Sequence, residues 1–267
     1  MENKHRLQIA VVTGASSGMG RETVIQLADR FACLDEIWVL ARREERLKQL
    51  ALQVPVRLRS FAVDLTKEEE LGELRDALEQ ERPSIRFLAN AAGYGKNGAA
   101  GARSQSDETG MVDVNCKALT AITHMCLPFL SDGARVLQFS SAAAFLPQPD
   151  FAVYAASKAF VLSYSRALNR ELKHRRITVT AVCPGPVKTE FFQVMEEGGQ
   201  TVPYPIYKRL VMAKPEKVVK KAITDTILEK SVSVYGVWMK VFWLMSKMLP
   251  HEWILSLMDR LQERSLT

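Results

Sequence analysis

Cysteine is scarce in this chain. There are four in 267 residues (Cys33, Cys116, Cys126 and Cys183), with no CxxC pair and no spacing that links them to the four histidines. That pattern excludes a disulfide framework and a zinc module, so no metal is expected, and the four read as core-filling thiols in a reducing compartment. The opening residues, MENKHRLQIAVV, hold no apolar stretch of signal length ahead of the first strand-like run, which makes the cytoplasm the expected location. No uncharged run approaches the ~20 residues that a membrane-spanning helix requires. Lys and Arg exceed Asp and Glu by 36 to 30, a net +6, yet no basic run is interleaved with aromatics. A nucleic-acid track is therefore excluded, and the excess suits solubility and an anionic small-molecule ligand. Linkers and repeats are missing too, so one domain is expected.

What is present is an alternation. Strand-like apolar runs occur at 7–13, 36–41, 57–64, 85–90, 134–140, 177–183 and 231–235, separated by helical patterns such as RETVIQLADRF (21–31) and EEELGELRDALEQE (68–81). Strands regularly spaced by helix-length segments predict right-handed crossovers and an α/β architecture, a doubly wound parallel sheet with helices on both faces. A chain that is 47% hydrophobic and of this length buries its apolar surface without staples.

The first strand runs into TGASSGMG, residues 13–20. Gly14, Gly18 and Gly20 let the backbone turn tightly and let a phosphate reach amides at a helix N-terminus, where the dipole is positive. The spacing is GxxxGxG, not GxGxxG. At the end of the second strand an acidic residue would accept hydrogen bonds from the ribose 2′-hydroxyl of NAD. Here Ala41, Arg42 and Arg43 stand in that place, while Asp35 and Glu36 lie at the strand's other end. Guanidinium groups suit a 2′-phosphate, so NADP(H) is expected over NAD(H). Further on, YAASK places Tyr154 and Lys158 on one helix face, one turn apart, with small residues between.

Taken with Asp64–Leu65, NAAG (90–93), the Asn115 of DVNCKA, SSAAA (140–144) and PGPVKTE (184–190), these motifs resemble the short-chain dehydrogenase/reductase family over residues 7–235. The resemblance implies a seven-stranded Rossmann-like domain over 1–236, a nicotinamide cofactor and carbonyl reduction or alcohol oxidation, with 237–267 as a C-terminal helical extension. It implies that Tyr154 is the acid/base. A free phenol near pKa 10 is a poor base at neutral pH, and the Lys158 ammonium is expected to pull it down. Ser141, thirteen residues before Tyr154, is implied to steady the substrate oxygen, with Ser140 ranked second, and Asn115 to hold a water that links the lysine to solvent. The cofactor is expected to meet Gly14, Ser16, Ser17, Gly18, Met19, Gly20, Arg42, Arg43, Asp64, Leu65, Asn90, Ala91, Ala92, Gly93, Pro184, Gly185, Val187 and Thr189, besides Tyr154 and Lys158.

Two segments depart from the rhythm. Residues 190–214 carry Phe191, Phe192, Met195, Tyr204 and Tyr207 around Gly198–Gly199, Pro203 and Pro205. The resemblance implies that this loop covers the substrate, so with Tyr94, Phe145 and Phe151 an apolar, bulky substrate is expected (a steroid, lipid-like or aryl ketone), a 3-oxoacyl thioester being the other choice. The tail, 237–261, is apolar but interrupted by Lys240, Lys247, Pro250, His251 and Glu252. Two amphipathic helices hinged at Pro250 are expected, with Trp238, Phe242, Trp243, Met245, Trp253, Ile254 and Leu257 available for burial. They are expected to pack as a lid or subunit interface, with peripheral contact to a membrane surface the second choice. Helices near 107–130 and 154–175 carry apolar residues on more than one face, and the resemblance implies that these faces pair across a two-fold, so a homodimer or homotetramer is expected. Set against the enzyme are a non-catalytic NADPH-binding scaffold or sensor, which the complete Asn115–Ser141–Tyr154–Lys158 set disfavours, and a nucleotide-sugar epimerase or dehydratase, whose longer C-terminal domain 267 residues barely allow.

Overall fold

Most of the strand-forming runs are rich in Val, Ile, Leu and Ala with little polar alternation, which suits strands buried on both faces. The computed structural model, which describes residues 6–196 and 212–256, arranges them as one seven-stranded parallel sheet in the order β3-β2-β1-β4-β5-β6-β7. The strands are β1 (Gln8–Thr13), β2 (Glu36–Ala41), β3 (Arg57–Ala62), β4 (Ser84–Asn90), β5 (Leu130–Phe139), β6 (Thr178–Val182) and β7 (Val232–Ser233). Alternate residues of β1 serve the two layers. Ile9 and Val11 join a core with Leu74 and Leu78 of α3 (Gly72–Glu81), Ile122 and Cys126 of α5 (Leu119–Cys126), and Leu168 of α6 (Ala152–Glu171). Ala10 and Val12 join Val24 and Leu27 of α1 (Gly18–Arg30), Leu47 and Leu50 of α2 (Glu44–Ala51), and Val219 and Ile223 of α8 (Pro215–Ile227). The strand order reverses between β1 and β4, and it is outside the carboxyl ends of strands at such a switch point that open α/β sheets bind ligands.

Expected and observed strands agree within a few residues, except that β5 starts at Leu130, ahead of the expected 134. The register explains this: Ile85 pairs with Leu130 before a shift that brings Phe87 opposite Arg135. The helix α4 (Gln105–Val112) passes into α5 through a π-helical turn, Asp113–Ala118, and Asn115 sits in that turn. Wide turns of this kind insert a residue into a helix and cluster at functional sites.

The sheet interior contains a polar knot. Thr123 Oγ accepts hydrogen bonds from Asn90 Nδ2 (2.9 Å) and Gln138 Nε2 (3.0 Å) and donates to the Leu119 carbonyl (2.7 Å). Thr123→Val keeps the shape but leaves buried amide hydrogens short of an acceptor, which costs roughly 1–3 kcal/mol. The midpoint of a thermal melt should fall by about 2–4 °C for each kcal/mol. An unchanged midpoint would show that the knot adds nothing to stability.

Candidate active site

The glycine turn is shaped by its neighbours. Gly14 has φ +67°, and a Cβ placed on it would lie 2.7 Å from the Ala92 amide nitrogen. A Cβ on Gly20 would run into the Gly14 carbonyl oxygen. Ser17 is the N-cap of α1 but its hydroxyl makes no capping hydrogen bond to the helix, and no acidic residue occupies the helix's first turn. The result is a narrow backbone cradle with open amides and a positive dipole end, which fits a dinucleotide pyrophosphate. Thr189 closes it from above, its Cβ 3.4 Å from where a Gly18 Cβ would stand.

The arginine pair sits at the mouth of this cradle. Arg43 donates to Ser16 Oγ (3.2 and 3.1 Å) and Ser17 Oγ (2.8 Å), and its remaining edge pairs with Glu190 at 2.9 Å. Glu190 also pairs with Arg46 at 2.6 Å, and the two guanidinium groups outweigh its partial burial and hold its carboxyl below the usual range. Arg42 is exposed nearby. Burial works to raise the Asp64 carboxyl, but hydrogen bonds from Thr66 and the Arg42 and Lys67 charges leave it below its ordinary value. Leu65 follows Asp64 and packs on the core beneath. Met19 lies half-buried in the first turn of α1.

Deeper in, Tyr154 and Lys158 are buried on α6. Lys158 Nζ donates to the Phe139 carbonyl at 2.9 Å and stands 5.7 Å from the centre of the Tyr154 ring. Burial pushes the Lys158 ammonium down to about 8 and the Tyr154 phenol up to about 12, a hydrogen bond with Ser141 opposing the latter. The expected depression of the phenol by Lys158 is therefore overturned in the protein alone. Burial drives each group toward its neutral form. At neutral pH the Tyr154 phenol is protonated.

The two serines separate cleanly. Ser141 bonds toward Tyr154 and accepts from the Ala143 amide (3.1 Å), whereas Ser140 Oγ donates to the Lys158 carbonyl (2.7 Å) and so ties α6 to β5. Asn115 is fully buried. Its Nδ2 donates to the Tyr94 carbonyl (2.9 Å) and Ser157 Oγ (3.0 Å), and its Oδ1 accepts from the Tyr94 amide (3.1 Å). Its side chain holds the 93–95 loop against α6. A Cβ on Gly93 would stand 2.7 Å from Asn115 Oδ1 and 3.1 Å from Lys158 Nζ, so this glycine lets loop and lysine meet.

Other expected positions divide. Ala91, Ala92 and Gly93 lie at the mouth of the switch point, but the Asn90 side chain points into the sheet toward Thr123 and Gln138 and is not a cleft group. Pro184, Gly185 and Val187 follow β6. The Pro184 carbonyl accepts from the Ala142 amide, and a Gly185 Cβ would come 2.6 Å from Met239 Sδ. Phe151 stacks on Tyr154 at 4.3 Å between centroids, and Phe191, the first residue of α7 (Phe191–Glu196), lies 5.5 Å from it with Phe192 edge-on behind. Tyr94 joins the same cluster, but Phe145 does not: it packs against Phe242 and Trp243 of the tail. Tyr204 and Tyr207 lie outside the described residues. Sequence reasoning missed Glu190, Ser157 and Met239. Ser157 lay inside YAASK, read as small filler, and Glu190 was visible only as the last letter of PGPVKTE.

A parallel sheet that gathers an open phosphate cradle and a buried phenol–ammonium pair at its switch point is the architecture of a nicotinamide-dependent oxidoreductase. The comparison with protein families narrows this: the short chain dehydrogenase model matches residues 8–199, and the chain belongs to that family. It is 34% identical over 235 residues to "Sulfoacetaldehyde reductase 2" of Chromohalobacter salexigens, covering 85% of this chain and 91% of that one. It is also 34% identical over 203 residues to the serine 3-dehydrogenase of Agrobacterium fabrum, covering 74% and 79%. Among solved structures it resembles a short-chain dehydrogenase from Sphingobium yanoikuyae in complex with NADPH (TM-score 0.74, 24% identity, 97% and 96% covered). It also resembles the closed form of serine dehydrogenase complexed with NADP+ (TM-score 0.73, 25% identity, 85% and 94% covered).

Proposed function

We propose that the chain is an NADP(H)-dependent oxidoreductase that interconverts a ketone and a secondary alcohol on an apolar, bulky substrate. The observation that carries this reading is the environment of Tyr154: a neutral phenol, hydrogen-bonded to Ser141 and flanked by the Phe151 and Phe191 rings. A bound nicotinamide supplies or accepts the hydride. The residues that would hold it are the 14–20 turn, Ala91 to Gly93 and the 184–189 segment, with Arg42 and Arg43 reading a 2′-phosphate. In reduction Tyr154 gives its proton to the substrate oxygen while the Ser141 hydroxyl steadies the charge that develops there. The aromatic rings exclude water from the transfer. Asn115 and Ser157 position the loop and helix that carry these groups.

The relatives named for sulfoacetaldehyde and serine make small polar substrates the second reading. A panel of aryl, steroid-like and lipid-like ketones run beside sulfoacetaldehyde and serine, followed at the nicotinamide absorbance, separates the two. Higher kcat/KM on the small polar compounds would overturn the apolar assignment. The proposed partner in solution is a second copy of this chain, met through the α4 and α6 faces, where Val112 and the stacked Phe160–Tyr164 pair lie at the surface.

The pH dependence has a defined sign. Reduction needs the protonated phenol and, to stabilise the phenolate left when its proton departs, the charged Lys158, so its kcat/KM should be level through neutrality and fall as pH rises through about 8, where Lys158 loses its proton. Oxidation needs the phenolate, whose population below about 12 grows about tenfold per pH unit, so its rate should climb over the same window. Initial rates in both directions across pH 6–10 check this. Parallel profiles in both directions would remove Tyr154 as the titrating group.

A further inference from the structure

The helix α9 (Val237–Met248) has two apolar faces and only one of them is covered. Its inner face sets Met239, Phe242 and Trp243 against Ala142, Phe145, Cys183 and Val234, beside the end of the reaction cleft. Its outer face presents Val237, Trp238, Val241, Leu244, Met245 and Met248, exposed by 39–74%. At 100° per residue these six occupy one sector roughly 120° wide. Past the bend at Pro250 the chain is helical again over 251–256, where Ile254 is buried and Trp253 is 69% exposed. Of the thirteen large apolar side chains that are exposed among the described residues, eight lie between positions 237 and 253. Single exposed apolar residues are ordinary on a protein surface; a continuous stripe on one helix marks a contact.

The charges on this helix select its partner. Lys240 and Lys247 flank the stripe on one side, both exposed, and no Asp or Glu occurs from Val237 to His251. A second copy meeting this face across a two-fold would bring the same lysines to the contact with no carboxylate on the helix to pair them. A bilayer with anionic headgroups answers both features at once: its acyl boundary takes the apolar stripe, and its phosphates take the two lysines. Trp238 and Trp253 are of the residue type that settles at headgroup depth, and the net charge of +6 has the same sign as the flank. No helix among the described residues is long and apolar enough to cross a membrane, so the contact is in-plane.

We propose that the outer face of α9 rests on an anionic lipid surface, with its inner face forming a wall beside the reaction cleft. The helix then joins the two environments, so that an apolar carbonyl compound dissolved in lipid meets the enzyme beside its own cleft. That consequence rests on the proposed apolar substrate; the docking itself does not.

The test uses the full chain without substrate, in co-sedimentation with vesicles of phosphatidylcholine alone or of phosphatidylcholine mixed with phosphatidylglycerol. Binding should be several-fold greater on the mixed vesicles, should weaken as salt is raised, and should shift tryptophan emission to the blue. Lys240→Glu with Lys247→Glu should lower the affinity for mixed vesicles by roughly fivefold or more per lysine. The outward-facing triple variant Trp238→Ser, Leu244→Ser, Met248→Ser should abolish binding while retaining the circular dichroism spectrum and the affinity for NADPH. Absence of binding to either vesicle, equal binding to both, or undiminished binding by the triple variant would each overturn the proposal. So would light scattering that shows the triple variant losing an oligomer which wild type forms without lipid, since a second copy would then cover the face.

Discussion

Tyr154→Phe is expected to lower turnover by roughly 10²–10⁴-fold, the range that a positioned proton donor supplies, while NADPH affinity stays close to that of wild type. The substitution removes the hydroxyl alone. The ring that stacks on Phe151 at 4.3 Å and faces Phe191 at 5.5 Å is retained, and so is Lys158 with its bond to the Phe139 carbonyl. Steady-state rates with any ketone the protein accepts, together with a fluorescence titration of NADPH, check both halves. Turnover equal to wild type would remove the phenol from the reaction. A loss of turnover accompanied by equal loss of cofactor binding would show instead that the hydroxyl holds the site together.

Arg43→Ala is expected to weaken NADPH by roughly 10–100-fold, the effect of one lost charge-assisted contact, and to leave NADH within a few-fold. The sequence alone offered both Arg42 and Arg43, with Arg42 the first choice for the 2′-phosphate. The structure distinguishes them: Arg43 lies against Ser16 and Ser17 at the glycine turn, where hydroxyl and guanidinium donors converge, while Arg42 acts on Asp64 through its charge. Glu190→Gln serves as the opposite control, because removing a carboxylate 2.9 Å from Arg43 frees that guanidinium for a phosphate and should tighten NADPH over NADH. Isothermal titration of both cofactors against both variants measures this. Equal weakening of NADPH and NADH by Arg43→Ala would mean that the side chain merely holds the turn.

Much of the fold was legible because buried parallel strands leave an unmistakable trace: EIWVLA and IRFLAN contain few residues that could face water, and their boundaries fall within one residue of the observed strands. The pairing of Tyr154 with Lys158 was legible for a similar reason, since helical spacing fixes which side chains share a face. Three things were not. The protonation of Tyr154 depends on how dry the site is, and burial is a property of the assembled fold. Asn90 looked like a cleft residue because NAAG is contiguous, but β4 alternates its side chains and turns this one into the sheet. Of the tail residues expected to be buried, Ile254 is buried and Phe242 and Trp243 pack on the body, while Trp238, Met245 and Trp253 stay exposed because only one side of α9 meets the body of the protein; Leu257 lies outside the described residues. A helix with two apolar faces gives no sequence signal for which of them will meet the body.

Glu190 gives the protein two regions that respond differently to ionic strength. Its pairs with Arg43 and Arg46 bridge the mouth of the cradle with side chains 40–45% exposed, so dissolved ions reach and weaken them, the more so as the Debye length contracts from about 10 Å at 0.1 M salt to about 3 Å at 1 M. Tyr154 and Lys158 are 7% and 5% exposed, and the field between them passes through protein that counterions do not enter. Raising the salt should therefore loosen the Glu190 pairs at the mouth of the cradle, while the electrostatics around Tyr154 and Lys158 change far less between dilute buffer and brine.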